Sequence, residues 1–252
     1  MKNIYILGGN GLIGKQIVKL YSTDNVNIFV LDKIGVKKFK NKNIKFIKYD
    51  CSDVNNAQKK LKSLFKLYGK PDIFINSSYP STKNWAKSTI KNFDYKLLKD
   101  NFEIHMNNYV WTAKIVANEM KRYRSGSIIL LGSIYGVVAQ DPNIYENTGL
   151  RENYGYPIIK SGIMASTKQL ASFYGKFNVR INCVCPGGIQ GHVKGSKKKQ
   201  SSKFKKKYLN KILLNRLCKP IEAANVCKFF ASDMASYVTG QTIIVDGGYT
   251  TL

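Results

Sequence analysis

The stretch GGNGLIG, residues 8 to 14, decides the fold of this chain because of what lies on either side of it. The apolar run NIYIL (3–7) leads into it, and the helical pattern KQIVKLYS (15–22) follows it. Its three glycines therefore form a turn between a strand and a helix, where backbone N–H groups and a helix N-terminus approach a pyrophosphate. We predict a dinucleotide-binding turn here.

The rest of the chain continues the alternation that this turn begins. Helical patterns separate further apolar runs at 27–32, 44–50, 72–76, 127–133, 179–186 and 241–247. Such alternation predicts a parallel sheet with helices on both faces. No linker-like stretch divides the sequence, so we predict an α/β, doubly wound parallel sheet of the Rossmann type in a single domain over residues 1–252.

The second predicted strand ends in Asp32, eighteen residues past Gly14. An acidic side chain at this place accepts hydrogen bonds from a ribose 2′-OH and repels a 2′-phosphate, which favours NAD over NADP. The adjacent Lys33, followed by Lys37 and Lys38, can serve a 2′-phosphate instead, so NADP stays open.

The segment YGYPIIKSG (154–162) places Tyr156 and Lys160 four residues apart. On a helix, side chains at i and i+4 share one face, so the two residues form either a surface pair or a proton-transfer pair. The spacing alone is a weak signal, because the chain is rich in both residue types.

The formal charge of +26 is typical of proteins that bind nucleic acid, since a basic surface attracts polyanions. The lysines are spread along the chain together with Asn, Ile, Tyr and Phe, all encoded by A/T-rich codons, and no nucleic-acid-binding motif is present. We therefore predict no specific nucleic-acid partner. One segment, 194–207, carries lysines and no acid, and is either a solvated loop or an anion-binding lid.

No apolar run reaches the roughly 18 residues of a membrane span, and the N-terminus lacks a signal-peptide pattern, so we predict a soluble cytoplasmic protein without a membrane partner. Five cysteines without a C-x-x-C pair suit a reduced compartment. Cys183 and Cys185 alternate along a predicted strand, which favours buried packing over a metal site, and we predict no metal.

The order of these motifs resembles the short-chain dehydrogenase/reductase family, in its compact single-domain branch, over essentially the whole chain. The glycine-rich turn is followed by Asp50 in YDCSD, Asn76 in NSSY, Ser133 in GSIYG, Tyr156 with Lys160, CVCPGGI, and GQTIIVDGG. The resemblance implies that the cofactor is held by Gly8, Gly11, Leu12, Ile13, Asp32, Asp50, Cys51, Asn76, Ser78, Tyr156, Lys160, Pro186, Gly187 and Ile189.

The resemblance also implies hydride transfer between nicotinamide and an alcohol or carbonyl carbon. Tyr156 would move the proton, and Lys160 would hold the nicotinamide ribose and lower a phenol pKa of about 10 towards working pH. Ser133 would orient the substrate oxygen. NAD is the expected cofactor.

Three positions depart from the family pattern. His105 stands where the family has an Asn that helps to hold a water in a proton relay, so its imidazole either preserves the relay or only packs. A register shift would restore an Asn from Asn107 or Asn108. In NSSY, Tyr79 replaces a Gly and is expected to project towards substrate, and Gly191 replaces a Thr that contacts the nicotinamide amide.

The spacing from Ser133 to Tyr156 exceeds that usual in the family, which predicts a substrate-binding insertion at about 137–155. Its residues 145–151 carry hydrogen-bonding and stacking groups suited to a sugar. The segment resembles family members associated with bacterial surface-glycan and flagellin-glycan pathways. A lid is expected at about 190–215, and its lysines predict an anionic sugar, either a sugar phosphate or a nucleotide sugar.

Two further expectations complete the sequence-based interpretation. The family resemblance implies a homodimer or homotetramer. The departures at His105 and Gly191 leave room for a non-catalytic module that senses NAD or binds a partner, although intact Ser133, Tyr156 and Lys160 favour an enzyme.

Overall fold

The structure is a computed structural model that describes residues 1–35, 39, 41–191 and 201–251. It forms one parallel sheet of seven strands in the order β3-β2-β1-β4-β5-β6-β7. The strands are β1 (Lys2–Leu7), β2 (Val26–Asp32), β3 (Ile44–Lys48), β4 (Ile73–Asn76), β5 (Gly126–Leu131), β6 (Val179–Pro186) and β7 (Thr242–Val245). The predicted doubly wound sheet is thereby confirmed.

Helices flank the sheet on both sides. They are α1 (Gly14–Tyr21), α2 (Ala57–Tyr68), α3 (Tyr95–Asn101), α4 (Asn108–Tyr123), α5 (Pro142–Tyr145), α6 (Gly155–Tyr174), α7 (Ser202–Leu209) and α8 (Pro220–Ala231). Helix α1 packs against α8, whereas α4 packs between α2 and α6. Between α3 and α4 the chain forms one π-helical segment, Phe102–Asn107. None of the described helices has the length and apolar character needed to cross a lipid bilayer.

The central strands are buried on both faces, which is why they read as continuous apolar runs. Ile4, Tyr5, Ile6 and Leu7 of β1 are each at most 1% exposed. The chain order reverses between β1 and β4, whose carboxyl ends lie side by side, and the Ser77 N–H donates to Leu7 O across them (2.8 Å). Ligands of such sheets bind in the crevice beside a reversal of this kind.

A second, smaller apolar cluster lies beyond the sheet. Ile134, Ile144, Tyr208, Ile212, Leu217 and Tyr249 form it. Ile144 comes from the predicted insertion, whereas Tyr208 and Ile212 come from the predicted lid. The two segments therefore pack on each other, close to the residues that follow β5.

Candidate active site

Helix α6 carries Tyr156 in its first turn and Lys160 one turn later. Burial of Ile159, Ile163, Thr167 and Ala171 fixes which face of the helix points inward, and Lys160 shares this face at 2% exposure. The Lys160 Nζ donates to Leu131 O (2.8 Å) at the end of β5 and lies 5.6 Å from the centroid of the Tyr156 ring. The i, i+4 pair is therefore buried at the sheet edge.

Ser133 meets the Tyr156 hydroxyl from the end of β5. The strand ends at Leu131, and Ser133 caps a short 3₁₀ turn, Ile134–Gly136, with its Oγ accepting from the Tyr135 N–H (3.2 Å). Ser133 is 6% exposed and hydrogen-bonds the Tyr156 side chain. The structure thus brings Ser133, Tyr156 and Lys160 together.

The pKa values of Tyr156 and Lys160 are set mainly by burial. Burial raises the pKa of Tyr156 to about 12, although the hydrogen bond with Ser133 opposes the rise. Burial likewise lowers the pKa of Lys160 to about 8, and nearby Cys183 and Cys185 oppose that shift. The direction for Tyr156 is opposite to the expected effect of Lys160, because the loss of hydration outweighs an ammonium directed at Leu131 O.

His105 lies behind Tyr156 in the π-helical segment and is fully buried. Its ring centroid is 5.2 Å from that of Tyr79, 5.5 Å from that of Trp85 and 6.3 Å from that of Tyr156. Both ring nitrogens are buried without a hydrogen-bond partner in the described structure. Burial, and then the charge of Lys160, holds the pKa of His105 well below its usual range, so the imidazole is neutral.

The glycine-rich turn lies at the β1–β4 reversal. Gly8 has φ +77°, and a Cβ there would lie 2.5 Å from Ser78 Cα, so no other residue fits without strain. Helix α1 begins with Ile13 at its N-cap and without a side-chain cap, which leaves the N-terminal N–H groups of Leu12 and Ile13 beside Gly11 suited to an anion. The turn fits a pyrophosphate.

Asp32, at the end of β2, lies next to this turn. Its Oδ2 accepts from the Asn10 N–H (3.0 Å), which ties the carboxylate to the turn. The neighbouring Lys33 Nζ pairs with Asp50 Oδ2 at 2.8 Å. Burial works against ionisation of Asp50, but hydrogen bonds from Lys33 and Ser52 prevail and lower its pKa to about 2. Lys37 and Lys38 lie outside the described residues.

Three more predicted cofactor residues follow β3 and β4. Burial raises the pKa of Cys51 to about 11, and its side chain hydrogen-bonds Ser78. Asn76 Oδ1 accepts from the Ser78 N–H (3.1 Å) and from the Ser78 hydroxyl (2.7 Å). Asn108 Nδ2 donates to Ser78 Oγ (3.0 Å), so the Asn that a register shift would use contacts this turn instead of Lys160.

The turn after β6 forms the opposite wall. Pro186 ends the strand, and the Gly187 N–H donates to Val245 O (2.9 Å). Ile189 pairs with Cys218 as an isolated bridge. Gly191 has φ +113°, and a Cβ there would lie 3.0 Å from Leu12 Cδ1, so a Thr in this conformation would be strained. Beneath this turn, the sulfur atoms of the predicted buried cysteines are 3.8 Å apart.

A pocket of about 150 Å³ opens beside the trio. Among the described residues, its walls are aromatic, aliphatic and backbone groups with the Ser133 hydroxyl and one charged side chain, Lys205. The lining residues are Ser133, Ile134, Tyr135, Tyr156, Gly187, Gly188, Phe204, Lys205, Tyr208 and Leu217. The Gly188 N–H donates to the Tyr208 hydroxyl (2.7 Å), which leaves the hydroxyl proton free to donate.

Residues of the predicted insertion pack against residues of the predicted lid. Residues 145–151 do not line this pocket. Tyr145 lies behind its wall, where its hydroxyl donates to the Tyr135 hydroxyl (3.4 Å), and Glu146, Asn147 and Arg151 are exposed. The reason is that short helix α5 packs on α7.

The lysines of the predicted lid divide into different roles. Residues 192–200, with Lys194 and Lys197 to Lys199, lie outside the described residues. Lys207 Nζ donates to Asn143 O (2.8 Å) and Glu146 O (2.9 Å), and Lys211 pairs with Asp141. These two lysines fasten the lid to the insertion, whereas Lys205 lines the pocket.

Sequence reasoning missed the residues that support Tyr156. Asn153 accepts from the Tyr156 N–H (2.9 Å) and donates to Trp85 O (2.8 Å), and Gln140 accepts from the Asn153 N–H (3.0 Å). An Asn three residues before the predicted catalytic Tyr at a helix start is a cap signal that could have identified Asn153. Gln140 and Trp85 gave no signal.

This fold and site define an NAD(P)-dependent oxidoreductase of the doubly wound α/β class. A family model described as "Enoyl-(Acyl carrier protein) reductase" matches residues 13–250. The chain belongs to the short-chain dehydrogenase/reductase family.

Individual relatives agree on the family and differ in substrate. Post-translational flagellin modification protein A of Campylobacter coli is 27% identical, over 98% of each chain. A 3-oxoacyl-[acyl-carrier-protein] reductase of Chlamydia pneumoniae is 26% identical, over 99% of this chain and 97% of its own. A short-chain dehydrogenase of Leptospira borgpetersenii, solved with bound NAD⁺, is 28% identical, with a TM-score of 0.87 over 99% of this chain and 92% of its own.

Proposed function

We propose that this oxidoreductase uses NAD(H) and acts on an alcohol or carbonyl carbon of an anionic sugar, a sugar phosphate or nucleotide sugar, in bacterial surface-glycan or flagellin-glycan biosynthesis. The observation that carries the proposal is the pocket beside Ser133 and Tyr156, whose described lining has aromatic walls and one lysine, Lys205. Aromatic rings offer an apolar face to a sugar ring, and an ammonium group recognises phosphate or carboxylate. The flagellin-modification relative supports the pathway.

Each member of the trio has a distinct chemical task. The bound dinucleotide supplies the hydride donor or acceptor. Tyr156 exchanges a proton with the substrate oxygen, and Ser133, which already hydrogen-bonds the phenol, orients that oxygen. Lys160 favours the phenolate by its charge and donates hydrogen bonds to the nicotinamide ribose. The neutral His105 serves a proton relay through a bound water, because its two unpaired nitrogens need partners.

The preference for NAD rests on how the charges beside β2 are paired. Lys33, one of the three lysines that kept NADP open, pairs with Asp50. Asp32 is held at the turn by the Asn10 N–H and presents its carboxylate where a ribose 2′-OH would be bound. Asp50 and Cys51 would lie beside the adenine of the bound dinucleotide.

Lys205 lines the pocket, so replacing it tests whether the substrate carries a negative charge. Replacing Lys205 with Met should raise the KM for an anionic sugar by about tenfold, since an ion pair with one phosphate contributes about 1 kcal/mol or more in a partly enclosed site. The KM of the unchanged enzyme should rise with ionic strength, and this dependence should weaken in the variant. Lys206→Met is the matched control, because Lys206 is exposed and does not line the pocket.

A substrate panel separates the proposal from its rival. The Chlamydia relative favours a 3-oxoacyl thioester as the second candidate substrate class. Initial rates with nucleotide sugars, sugar phosphates and a 3-oxoacyl thioester, each with NAD(H), decide between the two classes. Turnover of the thioester alone, or a sugar KM that Lys205→Met leaves unchanged, would overturn the anionic-sugar assignment. Binding of NADH without turnover of any compound would instead favour a dinucleotide sensor.

A further inference from the structure

Asn153 joins three parts of the structure at the start of α6. Its side-chain oxygen accepts from the Tyr156 N–H (2.9 Å), in the i to i+3 arrangement of a helix cap, and its side-chain nitrogen donates to Trp85 O (2.8 Å). Its own N–H donates to the side chain of Gln140 (3.0 Å). One residue therefore fixes the backbone that carries Tyr156 against two separate loops.

The same hydrogen bonds lead to the substrate pocket. Gln140 Nε2 donates to the Tyr145 hydroxyl (2.9 Å), which donates to the Tyr135 hydroxyl (3.4 Å), and Tyr135 lines the pocket. A continuous path thus runs from the pocket wall to the Tyr156 backbone through Gln140 and Asn153. The side chains of Gln140 and Asn153 each make two hydrogen bonds, so neither can rotate without losing both, which makes the path rigid.

The location of this path explains what the insertion does. Residues 145–151 do not line the pocket, whereas Gln140, Tyr145 and Asn153 all belong to the 137–155 segment. We propose that Asn153 is a positioning residue that holds Tyr156 in its reactive place, and that the insertion acts on catalysis through Asn153 and Gln140 rather than by touching substrate. This inference rests on the proposed acid–base role of Tyr156.

The test compares three variants of the full chain. Asn153→Ala removes the side-chain acceptor for the Tyr156 N–H and leaves it only the longer bond to Asn153 O (3.3 Å). The variant should lower kcat at least about tenfold, because misplacing a catalytic group by about 1 Å costs up to about a hundredfold. The Kd for NADH should stay within about twofold. Asn153→Ser keeps a capping oxygen and should restore most of kcat. Asn143→Ala is the control, since this exposed Asn lies in the same segment and its side chain is outside the path.

A double variant distinguishes positioning from general loosening. If Gln140 acts only through Asn153, Gln140→Ala should lower kcat, and Gln140→Ala combined with Asn153→Ala should fall no further than Asn153→Ala alone. Equal losses in kcat for the Ala and Ser variants, fully additive losses in the double variant, or an unchanged kcat in Asn153→Ala would overturn the inference. Failure of the proposed function has a separate signature, which is that Tyr156→Phe itself retains activity.

Discussion

Replacing Lys160 with methionine should stabilise the protein at neutral pH while it removes turnover. Burial lowers the pKa of Lys160 from 10.5 to about 8, so the folded state holds this proton less tightly than the unfolded state. Each pKa unit corresponds to about 1.4 kcal/mol, so the charged lysine costs the fold about 3 kcal/mol below pH 8. The hydrogen bond to Leu131 O stabilises the fold by about 1 kcal/mol and offsets part of this cost. Lys160→Met should therefore gain about 2 kcal/mol at pH 7.

The sign of the effect should change with pH. Between about pH 8 and 10.5 the unfolded state binds more protons than the folded state, so the wild-type protein gains stability as pH rises, whereas the variant lacks this gain. Near pH 10.5 the wild-type protein should be more stable by about 1 kcal/mol, the value of its hydrogen bond. Urea unfolding at pH 7 and pH 10, without cofactor, measures both. Lys168→Met, an exposed change on the same helix, should stay within about 0.5 kcal/mol. A variant that is less stable at pH 7, or a difference that does not depend on pH, would refute the reasoning.

Other predictions follow from single groups of the site. Tyr156→Phe should lower kcat at least about a hundredfold and leave NADH binding nearly intact, as measured by stopped-flow turnover and cofactor fluorescence; retention of more than a few per cent of activity would contradict it. NADH should bind at least about tenfold tighter than NADPH, and Asp32→Ala should reduce this ratio; equal affinities in the unchanged protein would show that the basic residues nearby dominate. Gly8→Ala should abolish NADH binding and lower the melting temperature, because its φ and its contact with Ser78 leave no room for a methyl group, and a normal affinity would contradict the geometry.

The sheet could be predicted from sequence because both of its faces are covered. A strand buried on two sides must be apolar throughout, and all seven predicted strands occur in the structure. Their ends were less certain. The fifth strand was predicted to reach residue 133 but ends at Leu131, because Ser133 turns to cap the residues that follow it. An apolar pattern shows which residues are buried, whereas the end of a strand depends on where the hydrogen bonding between neighbouring strands stops.

The lid lysines show what a sequence pattern leaves open. Charge counting treats Lys205 and Lys207 alike, but residues two apart on a helix point in different directions. Lys205 therefore faces the pocket, whereas Lys207 caps carbonyl groups of the insertion. The role of Lys33 was open for the same reason, since it pairs with Asp50, and these residues follow β2 and β3, two strands that only the folded sheet brings together.

The departures from the family pattern are connected in space. Tyr79, in the place of a Gly, and His105, in the place of an Asn, have ring centroids 5.2 Å apart, and both rings contact Tyr156. A lone histidine in the position of a smaller Asn would need space, and a lone tyrosine in the position of a Gly would need a surface to pack on. Together each ring supplies the other's packing, and the pair lines the rear of the Tyr156 site with aromatic rings. The two changes therefore form one rebuilt wall around an intact Ser133, Tyr156 and Lys160, and they do not weaken the case for catalysis.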